Sequence, residues 1–229
     1  MGILTDLWNL FFPRYCVSCG ELLGRHEECL CMSCLVKLPR MGVYQRSAGE
    51  VEKVFWGKYP IEKATAFLYY TKGSDVRSIL YGMKYYGDYR LAFFLGKCMA
   101  REFLEDSFFD GIDCLVPVPL HTDRQRWRGY NQSEALAQGI ATITGLPVCT
   151  DALSRHSPTD TQTDKSLYDR WLNVKGVFSV QKPMELRNKH ILLIDDVLTT
   201  GATMTACTDA LKNVEGIRVS ILALAMAGG

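Results

Sequence analysis

His190-Ile-Leu-Leu-Ile-Asp-Asp-Val-Leu-Thr-Thr-Gly-Ala-Thr203 decides the fold. Ile191 to Ile194 form a continuous apolar run, as expected of a strand buried on both faces of a parallel sheet. Asp195 and Asp196 follow where such a strand leaves the core, and ligands of open α/β sheets bind at that carboxyl edge. Thr199, Thr200, Gly201, Ala202 and Thr203 are small enough for the backbone to approach a phosphate. They lead into a helical pattern over Met204 to Asn213, whose N-terminus favours an anion. Two carboxylates facing that phosphate would repel it, so they are better placed for the 2′ and 3′ hydroxyls of a ribose. One stretch thus accounts for a whole ribose 5-phosphate.

Other phosphate loops do not fit. A P-loop requires a lysine and a hydroxyl residue after its last glycine, and a dinucleotide fingerprint requires three spaced glycines; residues 190–203 contain neither. The plain alternative is an ordinary strand, turn and helix with solvated acids. It leaves unexplained why apolar strand, acid pair, threonine-rich turn and helix start occur in this order. Residues 114–129 supply a second cluster suited to anions. Cys114 to Val118 read as a strand, and a helix follows from about Gln132 to Ile143, with Asn131 as N-cap and Gly145 beyond its end. Between them, His121-Thr-Asp-Arg-Gln-Arg-Trp-Arg-Gly129 reads as a loop carrying Arg124, Arg126 and Arg128 at the strand's carboxyl end. A guanidinium fork donates two parallel hydrogen bonds to phosphate. A merely solvated charged face is the competing reading.

Upstream, Ile61 to Thr71 read as a strand. Ser74-Asp75 then cap a helix with Val76, Ile79, Leu80 and Met83 on one face, and another helix runs from about Asp88 to Glu105. Residues 40–60 are a mixed connector, where the boundary between units is placed. Ile3, Leu4, Leu7, Trp8, Phe11 and Phe12 recur at helical spacing before Pro13. The polar face of that helix lacks the Lys and Arg of membrane-surface helices, so packing onto the main unit is expected. Further strands are expected near Pro147 to Ala152 and Val177 to Val180. The polar segment Ser154 to Asn173 between them is too long for a plain connection in a compact domain.

At 229 residues and 48% hydrophobic content, the chain can bury one sizeable core and carry a small appendage. Its formal net charge of +1 gives no global field toward nucleic acid or membrane. No apolar run reaches the roughly 18 residues of a membrane helix, and the first residues lack a basic leader, so a cytoplasmic protein is expected. Of nine cysteines, five fall between Cys16 and Cys34, which suits a metal site in a reducing compartment better than a disulfide framework. Cys16-Val-Ser-Cys19 and Cys31-Met-Ser-Cys34 are two C-x-x-C knuckles separated by 11 residues, and four thiolates so arranged supply a closed tetrahedral shell for Zn²⁺. Cys29 is read as a non-ligand, and His26, between the knuckles, either replaces one thiolate or, as is favoured, is a solvated loop residue. The minimum role of the metal is to staple a segment too short to fold alone. Residues 1–63 hold eight Lys/Arg and seven Asp/Glu, which is no basic footprint for nucleic acid.

These segments together resemble a known family. Residues 190–203 look like the motif of type I phosphoribosyltransferases that binds 5-phosphoribosyl 1-diphosphate (PRPP). Val116-Pro-Val-Pro-Leu-His-Thr-Asp-Arg-Gln-Arg-Trp-Arg-Gly-Tyr-Asn-Gln-Ser133, followed by Glu-Ala-Leu-Ala137, is similar to the signature of the ComF family, competence protein F and the related GntX proteins. Arg155, Thr159, Gln162, Arg170, Asn173 and the four-cysteine cluster match in the same order. The resemblance implies an α/β type I phosphoribosyltransferase fold with a mostly parallel central sheet, a flexible lid over residues 154–173 and a small N-terminal zinc ribbon. The units are then an N-terminal helix and ribbon over 1–45 and a phosphoribosyltransferase-like domain over 46–229, divided into a hood of about 46–110 and a core of about 111–229. Residue by residue, Asp195 and Asp196 become catalytic, residues 199–203 the 5′-phosphate loop, and Arg124 and Arg128, through the R-x-x-x-R-G pattern, the diphosphate side. Arg155 joins them. Lys84, in a short matching stretch Lys84-Tyr85-Tyr86-Gly87, reaches an anionic ligand or sits solvated beside packed tyrosines. Mg²⁺ accompanies PRPP, and Zn²⁺ is structural.

Two classes of function stay open at this point. In one, a PRPP-binding protein with a zinc finger acts in DNA uptake during natural transformation, with single-stranded DNA and other competence proteins as partners. In the other, a phosphoribosyltransferase acts on an unidentified small acceptor in nucleotide metabolism. Trp56, Tyr85, Tyr86, Trp127, Tyr130 and Trp171 are candidates for base stacking in the first, although most aromatics of such a chain are core. Transcriptional control through the ribbon ranks below both.

Overall fold

Strand β5 (His190–Leu198) lies inside a parallel sheet, bonded to β2 (Cys114–Pro117) on one side and to β6 (Arg218–Ala227) on the other. Ile191 stands opposite Cys114 and Val219, and β1 (Ala64–Tyr70) closes the far edge against β6 to give the order β1-β6-β5-β2. The computed structural model describes residues 12–42, 49–70, 76–85, 88–156 and 176–227. The apolar run of β5 is explained by its two covered faces. Ile191 and Leu193 face one core, with Met204, Cys207 and Leu211; Leu192 and Ile194 face the other, with Leu95, Met99, Leu136 and Ile140. All four are fully buried, and each such side chain contributes roughly 1.5–3 kcal/mol of transfer free energy.

The helices follow from period and caps. Helix α3 (Val76–Tyr85) buries Val76, Ile79, Leu80, Gly82 and Met83, and α4 (Tyr89–Leu104) starts at Asp88, whose carboxylate accepts from the Leu91 N–H. They are preceded by the short helices α1 (Met32–Lys37) and α2 (Glu50–Lys53). After β2 comes α5 (Thr122–Arg128), then α6 (Gln132–Thr144), capped by Asn131 and ended by Gly145 at φ +73. A two-stranded antiparallel ribbon of β3 (Leu153–Arg155) and β4 (Phe178–Val180) stands apart from the sheet. Helix α7 (Pro183–Leu186) leads to β5, and α8 (Ala202–Leu211) connects β5 to β6.

Helices α4 and α6 cross backbone to backbone at two glycines. A Cβ on Gly96 would strike the Leu136 carbonyl oxygen, and one on Gly139 the Phe93 carbonyl oxygen. A mid-helix glycine costs about 1 kcal/mol against alanine, so the close approach must offset roughly twice that. The cysteine segment is not a free appendage. Cys16, Leu23, Leu30 and Leu38 are buried in the same core as α3 and α4, and Glu28 pairs with Lys97 of α4 at 2.7 Å.

The structure departs from the sequence reading in four places. The arginine segment is the helix α5 and not a loop: the His121 ring accepts from the Asp123 N–H, and Gly129 closes the helix at φ +80. Near Pro147 only Val148 bridges Leu115, and the strand lies later, at β3. The connector holds α2, with Phe55 buried behind it. Helix α8 begins at Ala202, two residues before the expected start. The amphipathic stretch from Ile3 to Phe11, the Ser74-Asp75 cap, and Thr159, Gln162, Arg170, Trp171 and Asn173 of the expected lid lie outside the described residues.

Candidate ligand-binding cleft and cysteine cluster

Strands β2 and β5 are neighbours whose chains leave in opposite directions: β5 turns through α8 toward β6, while β2 turns through α5 and α6 away from it. A cleft of about 260 Å³ opens at their carboxyl ends, where a doubly wound sheet puts its ligands. Asp195, Asp196, Val197, Thr199 and Thr203 line it from β5 and its loop; Arg124, Arg128, Gln132 and Ser133 from α5 and α6; Lys84 from α3; and Arg155 from β3. Eight residues singled out in the sequence thus meet in one place: Lys84, Arg124, Arg128, Arg155, Asp195, Asp196, Thr199 and Thr203. Thr200, Gly201 and Ala202 do not line it. They build the turn: Gly201 has φ +74, and a Cβ there would lie 2.6 Å from Val54 Cγ1, so only glycine lets the loop rest on the connector.

The two carboxylates have different surroundings. Asp195 Oδ1 accepts from Ser133 Oγ at 3.1 Å and from the Asp196 N–H at 2.8 Å. Burial first, and then the neighbouring Asp196 charge, push its carboxyl up to about 7. Asp196 Oδ2 instead pairs with Lys84 Nζ at 3.0 Å. Opposite them the charge is positive. Burial and the adjacent Arg124 guanidinium lower the pKa of Arg155, which lies over the Phe178 ring at 5.3 Å. Arg128 Nη1 donates to Gln132 Oε1 at 3.0 Å, but its buried Nε has no hydrogen-bond partner among the described residues. Three guanidinium groups on one side of a cleft, two of them mutually repelling, are a donor set suited to an anion.

Sequence reasoning missed Ser133, Gln132 and Lys58. Ser133 and Gln132 are buried at the start of α6 and would pass for ordinary capping residues. Lys58 Nζ donates to the Thr200 carbonyl at 3.3 Å from a connector without pattern. A larger groove, about 410 Å³, is formed by residues 52–61 alone, away from the acid pair. Its Glu52 is committed to the Ala64 N–H.

The four knuckle cysteines also converge. The sulfurs of Cys16, Cys19, Cys31 and Cys34 lie within 4.8 Å of one another, and no other set of cysteine, histidine or acidic side chains gathers in this way among the described residues. The Cys31 N–H donates to Cys16 Sγ at 3.3 Å and the Cys34 N–H to Cys31 Sγ at 3.4 Å. Burial alone would raise Cys16; the N–H groups of Cys31, Cys19 and Ser18 outweigh it and bring it to about 7. Cys29 is outside the cluster; burial pushes its thiol up to about 11 and that of Cys34, inside the cluster, up to about 12, so position and not acidity sets Cys29 apart. Such a donor set can bind a metal ion.

The phosphoribosyl transferase domain matches residues 90–228, more than half of the chain. The chain belongs to this family. The match takes in every cleft residue but Lys84 and leaves the four knuckle cysteines outside. Among curated proteins, this phosphoribosyl transferase domain protein is similar to competence protein F of Haemophilus influenzae, 33% identical over 116 residues, which are 50% of this chain and 51% of that one. The chain thus spans about half the length of that relative. It is 27% identical over 192 residues to the DNA utilization protein YhgH of Salmonella typhi, 82% of this chain and 74% of that one. Among solved structures, the glutamine PRPP amidotransferase of Bacillus subtilis complexed with ADP and GMP superposes with a TM-score of 0.39 at 22% identity, over 57% of this chain and 25% of that one. No described helix is long and apolar enough to cross a membrane.

Proposed function

We propose that the cleft binds PRPP with Mg²⁺, and that Cys16, Cys19, Cys31 and Cys34 hold a structural Zn²⁺. The observation that carries the first part is the separation of charge within one cleft: Arg124, Arg128 and Arg155 against Asp195 and Asp196, with Thr199 of the turn and Thr203 of the first turn of α8 between them in the lining. PRPP has two anionic groups joined by a diol, and this division suits it. Arg124, Arg128 and Arg155 take the diphosphate, the backbone of residues 199–203 with the Thr199 and Thr203 hydroxyls takes the 5′-phosphate, and the acid pair takes the ribose hydroxyls. Asp195 or Asp196 would hold Mg²⁺ together with ligand oxygens, since hard cations prefer oxygen donors. Bound there, the ion would neutralise the departing diphosphate. The carboxylates would stabilise positive charge growing on the ribose ring. Residues 1–45 form the metal-stapled unit of this reading, and 46–229 the PRPP unit.

The names of the relatives extend the proposal to a role in DNA uptake during natural transformation, with single-stranded DNA and other competence proteins as partners. Exposed Tyr85 and Trp127, whose rings meet edge to face at 5.6 Å beside Arg124 and Arg128, favour contact with bases. Tyr130 is less suited, because its hydroxyl is engaged by the Met83 carbonyl at 2.8 Å. The complete acid pair favours the second reading, phosphoribosyl transfer to a small acceptor.

Thermal unfolding tests the site: PRPP with Mg²⁺ raises Tm of the wild type, and Asp195→Asn with Asp196→Asn abolishes the rise. Equal shifts in both proteins would refute the assignment. Diphosphate release across nucleobases, amines and oligonucleotides then separates the two readings. For the DNA role, single-strand affinity must fall steeply with salt, as phosphate contacts require.

A further inference from the structure

Gly82 stands in the middle of the ten-residue helix α3, where glycine is a poor choice on propensity. Its reason is a contact. A Cβ on Gly82 would lie 3.2 Å from Val17 Cγ1 and 3.4 Å from Leu91 Cδ2, so the first cysteine knuckle rests directly on this turn with no space to spare. Val17 is held from its own side, between Cys16 and Cys19 of the cluster, with its N–H donating to the Cys29 carbonyl at 3.0 Å. Beyond Gly82 the helix enters the cleft. The Met83 carbonyl accepts from Tyr130 Oη at 2.8 Å and from Gln132 Nε2 at 3.3 Å, and Lys84 pairs with Asp196. One helical turn therefore touches the cysteine knuckle on one side and the acid pair on the other.

We propose that Val17 and Gly82 are positioning residues that set Lys84 in the cleft, so that metal binding at the four cysteines and PRPP binding at Asp195-Asp196 are thermodynamically coupled. The proposal rests on the reading of the cleft as a PRPP site that includes Lys84. A four-thiolate shell closed on a cation fixes the Val17 knuckle; without it the short helix loses the cover over Gly82, and its packing is the main source of its order. Coupling of this kind is reciprocal. If zinc tightens PRPP binding by some factor, PRPP tightens zinc binding by the same factor.

Calorimetric titration of PRPP with Mg²⁺ into the zinc-loaded full chain tests the relay. Gly82→Ala is expected to weaken PRPP about fivefold or more. Val17→Ala added to Gly82→Ala makes room for the new methyl and restores the affinity. In a Lys84→Met background, Gly82→Ala has no further effect. Zinc affinity of the wild type, measured by competition with pyridylazoresorcinol, rises on saturation with PRPP and Mg²⁺; this measurement stands even if Gly82→Ala fails to fold. Unchanged PRPP affinity in Gly82→Ala, an equal loss in the Lys84→Met background, or zinc affinity indifferent to PRPP each overturns the coupling. If the wild type does not bind PRPP at all, the functional reading of the cleft fails instead.

Discussion

Asp195 has a cost as well as a role. Its carboxyl is pushed up to about 7 by burial and by Asp196, so at pH 8 the fold carries an ionised group in a place that disfavours it. In Asp195→Asn the amide oxygen would keep the hydrogen bonds from Ser133 and the Asp196 N–H while the charge is removed. This substitution is therefore expected to raise the unfolding free energy of the ligand-free protein, on the order of 1 kcal/mol, while losing the response to PRPP. Urea unfolding at pH 8 checks the first part; a less stable variant would mean that the charge is compensated. The residues most legible in the sequence are of this costly kind. Paired acids at the end of an apolar strand, and arginines spaced along a polar segment, have no cheap structural reason to be there. Ser133 escapes notice because a hydroxyl in the first turn of a helix already has an ordinary use. Thr200 and Ala202 group with their neighbours in the sequence because spacing cannot tell a side chain facing the cleft from one facing solvent.

At the scale of elements, the strand-to-loop-to-helix unit of residues 190–211 and the helices α3, α4 and α6 follow from hydrophobic period, capping residues and terminal glycine. Helix α5 does not show itself, since Thr-Asp-Arg-Gln-Arg-Trp-Arg has no apolar face and buries none of its residues. Strands β3 and β4, three residues each, are too short to carry a period. The α4–α6 crossing is equally hidden, because a glycine in a helix gives no sign of which backbone it meets. Gly139→Ala is expected to cost about 1–3 kcal/mol by forcing these helices apart at the Phe93 carbonyl. Differential scanning calorimetry measures it. An unchanged or higher Tm would mean that the crossing yields without strain and that propensity decides the sign.

Across the whole molecule, His190 joins three segments distant in sequence. Its Nδ1–H donates to the Gly111 carbonyl at 3.0 Å, Nε2 accepts from Ser220 Oγ at 2.8 Å, and its backbone N–H donates to Asp113 at 2.7 Å. The Nδ1 proton is assigned from its partner, which can only accept. Burial, and then the Arg218 charge, hold the imidazole pKa below its ordinary value. In the unfolded chain the same ring takes up a proton near pH 6.5. Because the folded value is the lower one, the contribution is complete above that pH and is lost as pH falls through the folded value. Stability between pH 7 and pH 5 should accordingly fall less in His190→Gln than in the wild type, from a lower starting point. Parallel pH profiles would show that other groups govern the acid limb.

Strand β1 and Lys84 lie before residue 90, yet β1 completes the hydrogen bonding of β6 and Lys84 completes the cleft. A fragment cut to residues 90–228 would leave β6 with an open edge along the buried apolar run Ile221–Ala225, a template for another strand and so for aggregation. The region that matches the family, residues 90–228, is thus smaller than the smallest piece that keeps both edges of β6 paired.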